Sequence, residues 1–212
     1  MVKAIVFDFW GTLMENGIFP SPTRQAKYFL RIDNLTFQEY VITFEEALML
    51  KKFDNLADAF MNVCKAFDIK PPHYIIEKLV GVWNKNRLLA KPFPEVIEVL
   101  NELKKKYKLV LLSNSDCFSV EPLIEKYEMK KLFEGLFFSY ETGMLKTNPA
   151  VFDKITEKLG IGKEELVVVG DSIDSDIKGA EQAGVRAILI DRKGRRDYKE
   201  KISNLEELKD KL

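Results

Sequence analysis

Apolar residues gather along the chain in five short runs, at residues 4–7, 109–112, 135–138, 166–169 and 186–190, rich in Val, Ile, Leu and Phe. Runs of this length predict strands, and their continuity predicts burial on both faces. The stretches between and after them carry helical periodicity, at residues 94–107, 120–127, 150–159 and 174–183. Strand and helix therefore alternate, which predicts an α/β fold built on a doubly wound parallel sheet. In such a sheet, ligands lie at the carboxyl ends of the strands.

Residues 15–91 break the alternation, because they hold helical patterns and no convincing strand run. Thr36 with Glu39, and Thr43 with Glu46, fit capping boxes that start helices. Pro71 and Pro72 separate a helix near 55–67 from another near 73–87, and Pro92 and Pro94 mark the return to the sheet. The expected organisation is a core domain over residues 1–14 and 92–212, interrupted by a helical cap domain over 15–91. No internal repeat is present, and the Lys-rich stretches 104–106 and 191–201 read as solvated surface.

Four predicted strand ends are polar where packing does not require it: Asp8, Ser113 with Asn114, Lys146, and Asp171. Taken singly, an acid or serine after a strand is commonly a helix cap and a lysine is commonly solvated. Taken in order, they resemble the motifs of the haloacid dehalogenase-like superfamily, over essentially the whole chain. Asp8-Phe9-Trp10-Gly11-Thr12-Leu13 is similar to its first motif, Leu111-Leu112-Ser113-Asn114 to its second and Gly143-Met144-Leu145-Lys146-Thr147-Asn148-Pro149 to its third. Gly170-Asp171-Ser172-Ile173-Asp174-Ser175-Asp176 is similar to its fourth. The insertion resembles the helical cap that closes over small substrates, which makes cap motion part of the mechanism.

The resemblance implies a Rossmann-like core and covalent hydrolysis, with Asp8 as nucleophile forming an aspartyl-phosphate. It implies Mg²⁺ held by Asp8, the main-chain carbonyl of Trp10 and Asp171, oriented by Asp176 or Asp174, with Asp176 favoured by spacing. Ser113 would offer a hydroxyl and Asn114 a backbone N–H to the phosphoryl group, Lys146 would supply positive charge, and Thr12 would support the first loop.

Trp10 departs from the commonest phosphatase pattern, which places a general-acid Asp there. Protonation of a poor leaving group must then come from elsewhere, so acyl and aryl phosphates are the favoured substrates among small phosphorylated metabolites. An aromatic residue at this place resembles the branch that displaces halide from 2-haloacids, which carries Tyr there. Against that, Gly170-Asp171 resembles the metal-dependent phosphatases rather than the Ser-Ser-Asn of the dehalogenases, and its cluster of acids calls for a cation. Phosphatase is the leading expectation, 2-haloacid dehalogenation through Asp8 its alternative, and a degenerate phosphate-binding or partner-binding module a third.

Composition narrows the partners. Lys plus Arg is 33 and Asp plus Glu is 33, so no whole-protein field recruits nucleic acid or an anionic membrane. The N-terminus lacks the uncharged core of a signal peptide, no apolar run reaches the roughly 20 residues needed to span a bilayer, and the only cysteines are Cys64 and Cys117. A cytoplasmic location is expected, and the oligomeric state stays open. The single histidine, His73, reads as exposed or capping, Cys64 as core, and Cys117 as a small residue near a helix start. Arg24, Arg31, Lys85 and Arg87 read as solvated residues of the insertion.

Overall fold

The computed structural model describes residues 1–212. Strand β1 (Ala4–Phe7) opens the chain and is followed by the two-residue strand β2 (Met14–Glu15). Helices α1 (Pro22–Phe29), α2 (Phe37–Met49), α3 (Leu56–Ala66) and α4 (His73–Leu89) come next. The chain returns through β3 (Lys91–Pro92), α5 (Val96–Lys104), β4 (Lys108–Ser113), α6 (Val120–Lys126) and β5 (Gly135–Phe138). It ends with α7 (Ser139–Thr142), α8 (Ala150–Leu159), β6 (Leu166–Gly170), α9 (Lys178–Gln182), β7 (Arg186–Ile190) and β8 (Lys201–Ile202).

The main sheet runs β5-β4-β1-β6-β7-β8, and every pair in it is parallel. Its alternate residues feed two separate cores. Ile5, Phe7, Leu111 and Val169 pack on one face, and Ala4, Val6, Leu112 and Val168 on the other. This is why the strand runs are apolar throughout rather than alternating. After β1 the chain builds outward through β4 and β5, then crosses back to place β6 on the other side of β1. The crossovers diverge at the carboxyl end of β1, where a crevice must open. Register does the rest: Phe7 lies opposite both Leu111 and Val169, so the residues that follow the three strands share one edge.

Helices α1–α4 form a layer around their own apolar cluster, in which Tyr40, Phe44, Phe60 and Trp83 are buried. Full burial of an aromatic such as Phe44 or Phe60 contributes about 2–3 kcal/mol. The start of α2 follows the expected capping box: Thr36 Oγ1 accepts from Glu39 N at 3.2 Å and Glu39 Oε2 accepts from Thr36 N at 2.9 Å. The Thr43–Glu46 pair starts no helix. Thr43 sits inside α2 with its hydroxyl turned back to the Glu39 carbonyl at 3.4 Å, so the box was already complete one helical segment earlier. The chain enters and leaves the helical layer through β2 and β3, which pair antiparallel with Met14 opposite Pro92 and Glu15 opposite Lys91. These strands, helix α1 and the edge strand β8 carry too few apolar residues to show in the hydrophobic pattern. No helix is long and apolar enough to cross a membrane.

Candidate active site

Asp8 is the first residue beyond β1, and its backbone N–H donates to the Val169 carbonyl of β6 at 2.9 Å. Its side chain is buried, with Oδ2 accepting from Thr12 Oγ1 at 2.8 Å. The turn after it is tight, because the N–H groups of Leu13 and Met14 both donate to the Phe9 carbonyl at 2.9 Å. Gly11 makes the turn possible. Its φ is +82°, and a Cβ there would stand 2.6 Å from Asp171 Oδ2.

Lys146 follows α7 and is 4% exposed. Its backbone N–H donates to Asn114 Oδ1 at 2.9 Å, while its ammonium donates to Asp176 Oδ1 at 2.8 Å and to Asp8 Oδ1. Asp176 is buried within a single turn of π-helix (Ile173–Ile177), a local irregularity frequent at functional sites, and its Oδ2 accepts from Ser172 N at 2.9 Å. Asp174 is outside the cluster and pairs with Lys178 at the surface. Gly170 is needed for the same packing, since a Cβ on it would lie 2.3 Å from Asp176 Cγ.

One oxygen each from Asp8, Asp171 and Asp176 lie within 4.8 Å of one another. Burial pushes the Asp8 carboxyl up, with Asp176 and Asp171 adding to the rise and Lys146 opposing it. Asp171 is likewise pushed up by burial and by Asp176, against Arg196. Burial works against the charge of Lys146 as well, but Asp176 and Asp8 overcome it and the ammonium is held. Three acids thus face one buried lysine. Their hard oxygen donors and unbalanced charge suit a divalent cation of the Mg²⁺ type.

A cavity of about 480 Å³ lies between this edge and helices α2 and α4. Asp8, Trp10, Asn114, Lys146 and Asp171 line its sheet side, and Glu45 of α2 projects from the facing wall. Ser113, the last residue of β4, is fully buried and its hydroxyl reaches only the Asn114 carbonyl at 3.5 Å. Arg24 stacks on Phe37 with its guanidinium 4.0 Å from the ring centroid, and Arg87 donates to the Phe118 carbonyl at 3.1 Å. His73 is exposed, Cys64 is buried in the helical layer, and the thiol of Cys117 accepts from Phe53 N at 3.5 Å.

Sequence reasoning missed several residues that converge here. Glu45 Oε2 accepts from Asn114 Nδ2 at 2.7 Å. Trp83 of α4 donates to Asp116, two residues beyond Asn114, so residues 114–118 carry contacts to Glu45, Trp83, Arg87 and Phe53. The stretch 191–201 is not simply solvated surface. Arg196 donates to the carbonyl and carboxylate of Asp171, and Arg192 donates to the Thr12 carbonyl at 2.7 Å while pairing with Glu95. Their only signal was a cluster of basic residues, which does not say which of them turn inward.

Residues 2–184 match the model of the haloacid dehalogenase-like hydrolase family. The chain is 29% identical over 209 residues to the glyceraldehyde 3-phosphate phosphatase of Methanothermobacter thermautotrophicus, covering 95% of this chain and 92% of that one. A HAD phosphatase from Thermococcus onnurineus superposes with a TM-score of 0.67 at 24% identity, over 100% of this chain and 98% of that one. The L-2-haloacid dehalogenase of Xanthobacter autotrophicus with chloropropionic acid covalently bound gives 0.66 at 17% identity, over 98% and 97%. At such identities the superpositions speak for the fold, which phosphatases and dehalogenases share. The family model, spanning most of the chain, together with the placement of its motif residues on one sheet edge, makes this chain a member of the haloacid dehalogenase-like hydrolase family.

Proposed function

We propose that this hydrolase is a Mg²⁺-dependent phosphatase acting on small phosphorylated metabolites through an aspartyl-phosphate on Asp8. The observation that carries the reading is the cluster of Asp8, Asp171 and Asp176 oxygens within 4.8 Å, with a single buried lysine against it. Asp8, the Trp10 carbonyl and Asp171 would hold the cation, with Asp176 supporting them, and the bound cation would neutralise charge on the transferring phosphoryl group.

The chain's own residues divide the remaining work. Asp8 attacks phosphorus in line, and Thr12 holds its second oxygen in place. Lys146 balances the charge of nucleophile and phosphoryl group together. The Asn114 N–H and the Ser113 hydroxyl receive phosphoryl oxygens, and the weak contact that now engages Ser113 yields easily to a better acceptor. In this reading residues 1–14 and 92–212 form the catalytic domain, and residues 15–91 form a cap that closes on the substrate and excludes water. Glyceraldehyde 3-phosphate, for which relatives are named, is of a size the 480 Å³ cavity admits. A reducing cytoplasm suits the two free cysteines.

Trp10 favours a second reading, displacement of halide from 2-haloacids through the same Asp8. One assay panel separates them: p-nitrophenyl phosphate, acetyl phosphate and 2-chloropropionate, each with Mg²⁺ and with EDTA. Phosphate release that needs Mg²⁺ and exceeds halide release is expected. Halide release insensitive to EDTA would hand the assignment to dehalogenation, and silence on all three, with a melting temperature raised by Mg²⁺ or phosphate, would point to a binding module.

A further inference from the structure

Hydrolysis of an alkyl phosphate requires a proton for the departing alkoxide, and Trp10 offers no acid to give it. Stereochemistry fixes where the donor must stand. Asp8 attacks from the sheet edge, so the leaving oxygen departs on the far side of phosphorus, toward α2 and α4. Among the acids lining the cavity, Asp8, Asp171, Asp174 and Asp176 belong to the sheet side, and only Glu45 and Glu46 belong to the facing wall. Glu46 is exposed. Glu45 is partly buried and held, with Oε2 accepting from Asn114 Nδ2 at 2.7 Å, and Asn114 is itself fixed by the Lys146 N–H. With Oε2 engaged as an acceptor, Oε1 is left as the oxygen able to carry a proton.

We propose that Glu45 is a catalytic residue, the general acid that delivers from the cap the proton Trp10 cannot; this rests on the phosphatase reading. In the first step an Asp8 oxygen bonds to phosphorus, the bond from phosphorus to the ester oxygen breaks with its electron pair on that oxygen, and the Glu45 proton moves there. A neutral alcohol leaves and Glu45 is left as a carboxylate. In the second step water attacks phosphorus, Glu45 takes a proton from it, and the bond from phosphorus to Asp8 breaks. Inorganic phosphate leaves, with Asp8 ionised and Glu45 protonated again.

The surroundings keep the proton on Glu45 until it is needed. Burial pushes its carboxyl up to about 7, with Asn114 and Lys146 opposing and Asp176 reinforcing. The charged groups around the cavity are Asp8, Lys146, Asp171, Asp174, Asp176 and Glu46, and of these Asp176 disfavours a negative charge on Glu45 while Lys146 favours it. An acid of this strength is matched to neutral pH. Because Glu45 sits on α2, proton delivery also requires the helical layer to stand over the sheet edge as it does here.

The test is Glu45→Gln, which keeps an oxygen for Asn114 and removes only the proton. The readout is kcat/KM, which reports steps up to release of the alcohol and is blind to hydrolysis of the intermediate. On glycerol phosphate the variant should lose about 10²-fold or more, and on p-nitrophenyl phosphate, whose leaving group needs no proton, less than about fivefold. The fall of the glycerol phosphate rate above pH 7 in the parent should vanish in the variant. Adding Trp10→Asp to Glu45→Gln should restore glycerol phosphate turnover, which also shows that the variant folds. Equal losses on the two substrates, or none, would overturn the assignment. A parent inactive on every phosphate ester would instead refute the phosphatase reading, before any variant is made.

Discussion

The indole N–H of Trp83 on α4 donates to the Asp116 carboxylate, just beyond β4, at 3.0 Å. Both residues are buried, and Asp116 also accepts from Phe118 N at 2.9 Å and from Ser119 Oγ. The bond ties the helical layer to the sheet beside the reactive edge. Trp83→Phe keeps an aromatic against Phe44 and Phe60 and deletes this donor. It should cost about 1.5–3 kcal/mol, as for a bond to a charged group, and raise KM severalfold with kcat little changed. Urea unfolding and steady-state kinetics check both; an unchanged midpoint would show that the bond gives no net stability.

Asp8→Asn preserves shape and the Thr12 contact but removes the carboxylate proposed as the nucleophile. Turnover of p-nitrophenyl phosphate should fall by roughly 10⁴-fold or more, with the circular dichroism spectrum unchanged. Parental rates in this variant would exclude covalent catalysis through Asp8.

Gly11→Ala combines a φ of +82° with a Cβ 2.6 Å from Asp171 Oδ2. Strain of this kind costs about 1–3 kcal/mol, and Asp171 must shift to make room. A lower melting temperature is expected, together with a Mg²⁺ requirement displaced about tenfold upward in an activity titration. Parental values for both would mean that the turn relaxes freely.

Glu45 couples stability to pH. It titrates near 4.3 in an unfolded chain and about 7 in the folded protein, so the folded state binds the extra proton. The associated stability is fully present below pH ~4 and is lost as pH rises through about 7. Glu45→Gln cannot ionise, so relative to the parent it should gain roughly 1–2 kcal/mol between pH 5 and pH 8, a figure reduced for the partial exposure of the side chain. Urea unfolding of both proteins in EDTA at the two pH values measures this. Parallel pH dependences would mean that Glu45 titrates normally.

The sheet could be read from the sequence because its strands are buried twice over: residues such as Ile5 and Val6 face different cores, and no polar position interrupts the run. Spacing favoured Asp176 over Asp174 as the residue to orient a cation, a role that stays a proposal; the π turn buries Asp176 and leaves Asp174 to Lys178 at the surface. Short-range patterns served less well where a tertiary choice decides between equals. Thr36 and Thr43 carry the same signal three residues before a Glu, and only one begins a helix. Glu45 and Glu46 are neighbours on one amphipathic helix, so sequence could not say which meets Asn114. Arg192 and Arg196 act on Thr12 and Asp171 from nearly the other end of the chain, a distance no local motif spans.

Four contacts, one from α2, one from the loop between α2 and α3 and two from α4, reach the sheet through residues 114–118. A latch of this kind is short. At about 1 kcal/mol net for each bond, and about 1.5–3 for the one to Asp116, releasing it costs roughly 4–6 kcal/mol, which puts an ajar form at about a tenth of a per cent of molecules or less. If the helical layer acts as the proposed cap, the door could swing within a catalytic cycle without unfolding, since the aromatic cluster around Tyr40 and Phe60 holds it together independently of its fastening. On the phosphatase reading, how firmly the latch holds would govern capture of substrate without touching a reacting group, which is the KM effect expected of Trp83→Phe.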